Sequence, residues 1–328
     1  MVTIEESKNE QIRFFNHLKA IYSDNVRFPL YIAELLNVGR SAAYGRIAGN
    51  IFLSTHELAV LNDKFKVPVK KKYFSNKNPK VGFEITAFGN SYSLLNWMTD
   101  ILQLFENFAK DPDAHLYYMG SNLHLFYYYS TPNLAAFYIF WLHKYCLNDD
   151  SYDMKKFSIK KALELPEVKV AAKLWKVYQK ISSTEIWTRY ILITTLDKIK
   201  EMRRDNIFES EKDYITLSND IIKVMNSLDR QAEHGHKLDD PKTKYNLYSL
   251  ELKHESNMAI VKAHDTLHLF DLFNNRTVLM TLDADFCKAQ LKDFELKLRK
   301  SKPLSTGNRQ ERHRIINEYK EELSKLLK

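Results

Sequence analysis

At 328 residues the chain has room for two or three domains, each with its own core. Hydrophobic residues make up 45% and charged residues 27%, close to the soluble globular average, which excludes wholesale disorder and fibrous architectures. The net charge is +8 and there are only 8 glycines, which argues against folds that recruit glycine for phosphate loops.

Residues 4–23 carry Ile4, Ile12, Phe15, Leu18 and Ile21 near helical spacing, so an amphipathic helix is predicted there, broken by Ser23-Asp24-Asn25. Pro29 suits the first turn of a second helix with Ile32, Leu35 and Leu36 as its stripe, and Asn37-Val38-Gly39 ends it. A third helix has Ala42 to Ala48 as its body; either Ser41 caps it or Arg40-Ser41 lie in its first turn, and Gly49-Asn50 stop it. Ser54 and Glu57 fit a capping box that opens a fourth helix through Leu58, Leu61 and Phe65. Val67 to Lys80 has two prolines, a lysine triplet and no carboxylate, the composition of a basic linker.

Beyond the linker, residues 91–110 read as a helix, the aromatic run Leu116 to Tyr129 as an extended segment, and Pro132 starts a strongly apolar helix. Residues 166–181, 184–204 and 211–233 are predicted as further helices, the second opened by a capping box at Ser182 to Glu185. After the polar stretch 234–244, strands are predicted at 247–252, 258–263, 267–273 and 277–282, with a turn at Asn274-Asn275, then helices at 284–300 and 308–327. The fold class expected from this is mainly α: four to five helices at 1–67, a linker at 68–84, a helical region at 85–235, and a smaller α+β region with a short sheet at 236–328.

No two glycines have the spacing of a dinucleotide or Walker A loop, no HExxH occurs, and Gly45 and Gly49 flank Ile47 rather than a nucleophilic serine. No enzyme activity and no cofactor or metal is therefore expected. Two cysteines, Cys146 and Cys287, suit a reducing compartment, and the acidic start of the chain lacks the pattern of a signal peptide, so a cytoplasmic location is expected. The longest apolar run, Leu134 to Leu142, is 9 residues, too short to span a membrane.

Residues 1–80 hold 13 Lys or Arg against 7 Asp or Glu, so about a quarter of the chain carries +6 of the net charge. A concentrated positive field favours polyanions, and duplex DNA becomes the leading partner. Helix, tight turn and helix is also a known solution to major-groove recognition. Ala33 falls where the two helices cross, Ile32, Leu36 and Val38 supply packing, and Ile47 closes the unit. With Val38-Gly39-Arg40-Ser41-Ala42-Ala43-Tyr44-Gly45-Arg46-Ile47, residues 9–67 resemble the lambda/Cro repressor-like (Xre-type) helix-turn-helix domains of bacterial regulators. The chain departs from that pattern at Asn37, where a turn glycine is usual, and at Gly45, inside the recognition helix.

The resemblance implies a transcriptional regulator whose base-facing residues are Arg40, Ser41 and Tyr44, with Arg46 and Asn50 nearby. Arg27, Lys64, Lys70, Lys71 and Lys72 are the candidates for phosphate contact. The longer remainder also resembles the large C-terminal regions of uncharacterised regulators, at Pro132 to Phe137, Ser182 to Trp187 and Gln231 to Gly235. It implies sensing of an unknown effector or dimerisation, and a homodimer is expected because one short helix reads few base pairs.

Ser301, Lys302, Ser305, Thr306, Arg309 and Arg312, between two helices, form a possible anion or effector site. Tyr117, Tyr118, Tyr127, Tyr128 and Tyr129 beside His115 and His124 suit either a pocket wall or a core. His234 and His236, with Asp239 and Asp240, have a metal-like composition without an obvious further ligand. Two alternatives stand beside the regulator: a DNA-targeted phosphodiesterase- or nuclease-like enzyme, and a helical protein-interaction scaffold.

Overall fold

The computed structural model describes residues 4–22, 26–65, 81–87, 92–120, 122–147, 149–188, 191, 193–238, 240–251, 257–273 and 277–326. The chain divides into two compact units, Met1–Gly82 and Phe83–Lys328.

The first unit holds four helices: α1 (Ile4–Ile21), α2 (Phe28–Leu35), α3 (Arg40–Ile47) and α4 (Thr55–Phe65). Their apolar stripes meet in one small core of Phe15, Leu18, Phe28, Ile32, Ala33, Ala43 and Leu61. Pro29 lies in the first turn of α2, where its missing N–H leaves no helical bond unmade. The expected capping box is present: the Ser54 N–H donates to Glu57 Oε2 at 2.9 Å and the Glu57 N–H to Ser54 Oγ at 3.2 Å.

The second unit runs β1 (Glu84–Ala87), α5 (Leu94–Phe108), β2 (His115–Gly120), α6 (Leu125–Tyr128), α7 (Pro132–Tyr145), α8 (Ile159–Ala162), α9 (Pro166–Tyr178) and β3 (Ser182–Thr188). It continues with α10 (Ile193–Arg204), α11 (Glu211–His234), β4 (Tyr245–Leu250), β5 (Met258–Ala263), β6 (Thr266–Phe273), β7 (Thr277–Thr281), α12 (Ala284–Lys300), β8 (Lys302–Pro303) and α13 (Arg309–Leu326). All eight strands belong to one mixed sheet in the order β1-β7-β6-β5-β2-β3-β4-β8. Its centre, β2-β3-β4, is parallel, and antiparallel strands flank it on both sides. The β5–β6 hairpin turns on His264 and Asp265, both at positive φ (49° and 58°), the backbone a two-residue turn of matching twist requires.

This overturns the expected fold class. The molecule is α/β with a large sheet, not mainly α with a short one, and the sheet draws strands from both sides of position 235. Two segments account for the difference. Residues 182–188 form β3, not the start of a helix: Ser182 Oγ accepts from the Lys244 N–H at 3.1 Å instead of capping its own chain. The aromatic run is not extended throughout, since β2 ends at Gly120 and Leu125–Tyr128 form α6.

Helices α5, α7, α9 and α11 lie over one face of the sheet, building the main core with Leu116, Tyr118, Trp187, Tyr245 and Leu247. Cys287 and Phe294 of α12 close the other face against Met119, Ile186, Met258, Ile260 and Leu269. Tyr118, Tyr127, Tyr128 and Tyr129 are all buried, so the candidate aromatic pocket is core. Asn274-Asn275 lie outside the described residues. No described helix is long and apolar enough to cross a membrane.

Candidate nucleic-acid interface

The turn between α2 and α3 is set by its backbone. The Leu36 N–H donates to Ile32 O and the Val38 N–H to Ala33 O, while Asn37 takes the left-handed conformation at φ 52°. Asn tolerates that region better than other non-glycine residues, so the departure from a turn glycine is accommodated. Gly39, extended at φ −66° and ψ 153°, is the N-cap of α3, which places Arg40 and Ser41 in its first turn; no side chain caps this end.

Ala43 is fully buried in the unit's core, and this fixes the rotation of α3. Arg40, Ser41 and Tyr44 then lie outside: all three are exposed, Tyr44 at 56%. Positions 40 and 44 are one turn apart and share a face, with Ser41 beside them. Arg27 and Lys64 are exposed. Lys70, Lys71 and Lys72 lie outside the described residues.

Arg46 is placed differently from the other base-facing candidates. Its guanidinium pairs with Glu57 of α4, NH2 to Oε1 at 2.7 Å and Nε to Oε1 at 3.0 Å, and NH1 donates to Ala42 O; the side chain is only 15% exposed. It is a strut between α3 and α4. Burial pushes the Glu57 carboxyl up, but the bonds from Arg46 and Ser54 outweigh this and hold it below the usual range. Asn50 is exposed, and its Oδ1 accepts from Lys8 Nζ at 3.1 Å.

Gln11, unremarkable in the sequence, clamps the segment after α3. Its Nε2 donates to Arg46 O and Ile51 O, each at 2.7 Å, and its Oε1 accepts from the Leu53 N–H at 2.9 Å. Gly49, at φ 71°, lets α1 approach: a Cβ there would stand 3.1 Å from Lys8 O. Neither role leaves a local signal, because both depend on groups about forty positions away.

The turn 301–312 in the second unit engages most of its candidate anion-binding groups internally. Arg312, 2% exposed, pairs with Asp229 at 2.8 Å and Glu233 at 3.5 Å. Lys302 pairs with Glu251 at 2.7 Å and Glu311 at 3.4 Å. Ser301 Oγ donates to Lys297 O, and Ser305 Oγ accepts from the Leu247 N–H at 2.8 Å. Thr306 and Arg309 are exposed. The His234 and His236 rings lie 5.5 Å apart, Asp239 is outside the described residues, and among those described no three His, Cys, Asp or Glu side chains group as a metal site.

One polar cluster in the second unit was not legible in the sequence. Glu185, fully buried on β3, accepts from Ser183 Oγ and Trp187 Nε1 at 3.0 Å, and from the hydroxyls of Tyr127 and Tyr178. Lys237, also fully buried, has its Nζ 3.8 Å from Glu185 Oε1 and 3.4 Å from the Tyr178 ring centroid. Burial pushes its amine down to about 7, with Glu185 opposing the shift. Burial likewise brings His124 down to about 4. No family model matches the sequence, and neither a curated protein nor a solved structure is significantly similar to it.

Proposed function

We propose that the chain is a sequence-specific DNA-binding transcriptional regulator that reads the major groove with α3. The observation that carries this reading is the rotation of α3: Ala43 is locked in the core while Arg40, Ser41 and Tyr44 project from an uncapped N-terminal turn. Arginine bonds bidentately to guanine, serine reaches phosphate or base edges, and an uncapped helix start attracts phosphate. The +6 charge of residues 1–80 supplies the non-specific attraction that such readout needs. The resemblance to lambda/Cro repressor-like domains supports the same assignment.

The regulator acts in the cytoplasm as a homodimer, because α3 spans only 8 residues and two-fold pairing is the usual route to a longer site. Residues 85–328 dimerise it or sense an effector, with an expected coupling of roughly 5- to 150-fold in operator affinity.

Selection of bound sequences from a random duplex library with the full chain tests the reading. A recurring motif with two related half-sites is expected, and sedimentation at the dimer mass. Arg40→Ala should weaken binding to that motif by about 1 to 3 kcal/mol and relax preference at one position. An equal loss on unrelated DNA would make Arg40 a phosphate contact, and a library with no enriched motif rejects sequence-specific binding.

A further inference from the structure

Helix α9 carries a lysine stripe that the stability of the helix does not account for. Lys169, Lys173 and Lys176 stand at i, i+4 and i+7, so they line one side of α9, Lys180 follows in the turn just past its end, and all four are exposed. Between Glu167 and Glu185 the chain has no carboxylate. Glu167 itself is turned inward, its Oε1 3.9 Å from His143 Nε2. Among the described residues none of the four lysines has an ion-pair partner.

Other helices of the second unit behave differently. Lys200 of α10 stands 4.0 Å from Asp197, Lys297 of α12 pairs with Asp293 at 2.7 Å, and Arg314 of α13 with Glu311 at 2.7 Å. On α9, like charges at i and i+4 repel one another, and the macrodipole disfavours Lys169 near the N-terminus while it suits Lys176 in the last turn. The repulsion along the stripe therefore has no outward-facing carboxylate on α9 to offset it.

We propose that this stripe binds the phosphate backbone of duplex DNA, a second, sequence-independent contact beside that of α3. The three lysines on α9 extend over about 10 Å of helix axis, with Lys180 just beyond its end, room for several phosphates of one strand. A lipid surface fits less well, because an interfacial helix must offer its apolar side to the membrane. Here that side is spent: Val168, Ala171, Leu174, Val177 and Tyr178 are buried in the core. The proposal rests on the DNA-binding reading above but concerns a different element of the chain.

The experiment measures affinity of the full chain for duplex DNA against salt concentration, for wild type, for Lys169, Lys173, Lys176 and Lys180 all replaced by Gln, for the same four replaced by Arg, and for Arg40→Ala. The Gln variant should lower the slope of log affinity against log salt by about 3 to 4, equally on motif and unrelated DNA, and the Arg variant should restore it. Its affinity should change roughly 100-fold less than that of wild type between 50 and 200 mM salt. Thermal unfolding checks that no variant falls below the wild-type midpoint, so that a lost slope is not lost folding.

A slope unchanged in the Gln variant, with wild type binding DNA, overturns the stripe and leaves α3 standing. Binding that ignores Arg40→Ala and sequence yet loses slope in the Gln variant supports the stripe and overturns α3 as reader. Wild type binding no duplex DNA overturns both, as does preference for anionic phosphatidylserine vesicles or for RNA over DNA in the case of the stripe.

Discussion

Two residues illustrate how a charge in this molecule is decided by its surroundings. Lys237 is fully buried with its Nζ facing the Tyr178 ring, and Glu185 beside it is already served by hydroxyl and indole donors. Between about pH 7 and 10.5 the unfolded chain holds a proton on Lys237 that the folded chain does not. Its contribution to stability therefore rises with pH across that window and is lost as pH falls from 10.5 through 7. We expect Lys237→Met to remove this dependence, so that the difference in unfolding midpoint between wild type and variant changes with pH across this window. Glu185→Ala is expected to cost about 3 to 5 kcal/mol, since it strands buried hydroxyls and a buried amine; urea denaturation measures it. A loss below about 1 kcal/mol would show that the cluster is dispensable.

Arg46 makes the complementary point on the first unit. Because it bonds Glu57 and Ala42 O, Arg46→Ala should destabilise the unit by roughly 1 to 3 kcal/mol while leaving the base preference proposed for α3 unaltered. Arg46→Lys should recover only part, as an ammonium cannot reach both partners with one planar group. Glu57 is held below the usual carboxylate range, so this contribution is complete at neutral pH and is lost as acid protonates Glu57.

At the scale of elements, α3 explains the second departure from the helix-turn-helix pattern. A Cβ at Gly45 would meet Ile51 Cδ1 at 2.8 Å and Cγ1 at 3.0 Å, so the glycine admits the chain that returns toward α4. Ile51 is 40% exposed, and its side-chain end can move. Gly45→Ala therefore sets a propensity gain of about 1 kcal/mol against that displacement, and a thermal midpoint near wild type is expected. A loss above about 2 kcal/mol would show that Ile51 is held rigidly. At Asn37, by contrast, a β-branched residue has no relief from φ 52°, and Asn37→Val should cost about 1 to 2 kcal/mol.

The elements also mark where periodicity stops being informative. The apolar stripes of α1, α2 and α4 each face one small core, and their spacing is visible in the chain. Strand β3 has cores on both sides, Trp187 in one and Ile186 in the other, so no solvent side marks it, and Ser182-Ser183-Thr184-Glu185 imitates a capping box. Strands β5, β6 and β7, short apolar runs bounded by turn residues, could be read in place.

For the whole molecule, the separate core of the first unit has a thermodynamic consequence. The buried set around Phe15, Ile32 and Leu61 contains only residues of Met1–Gly82, and the two larger sets only residues of the second unit. Calorimetry of the full chain should show two transitions instead of one. Leu61→Ala, which opens a cavity in the smaller core, should lower only one of them, by about 2 to 5 kcal/mol. A single transition that shifts as a whole would mean that the units unfold together.

The sequence by itself determined the four N-terminal helices, the capping box at Ser54 and Glu57, the concentration of positive charge in residues 1–80, and the strands β4 to β7. Each of these is written in residues a few positions apart, or in a sum over a segment. Only the tertiary structure decided that β3 is a strand, that β2, β3 and β4 lie parallel at the centre of an eight-stranded sheet, that Arg46 turns inward while Arg40 stays outside, and that Glu185 meets Lys237. The physical reason is common to all four. A strand covered on both faces loses the alternation that identifies it, and hydrogen bonds and ion pairs depend on distance in space between groups 11 to 52 positions apart in the chain.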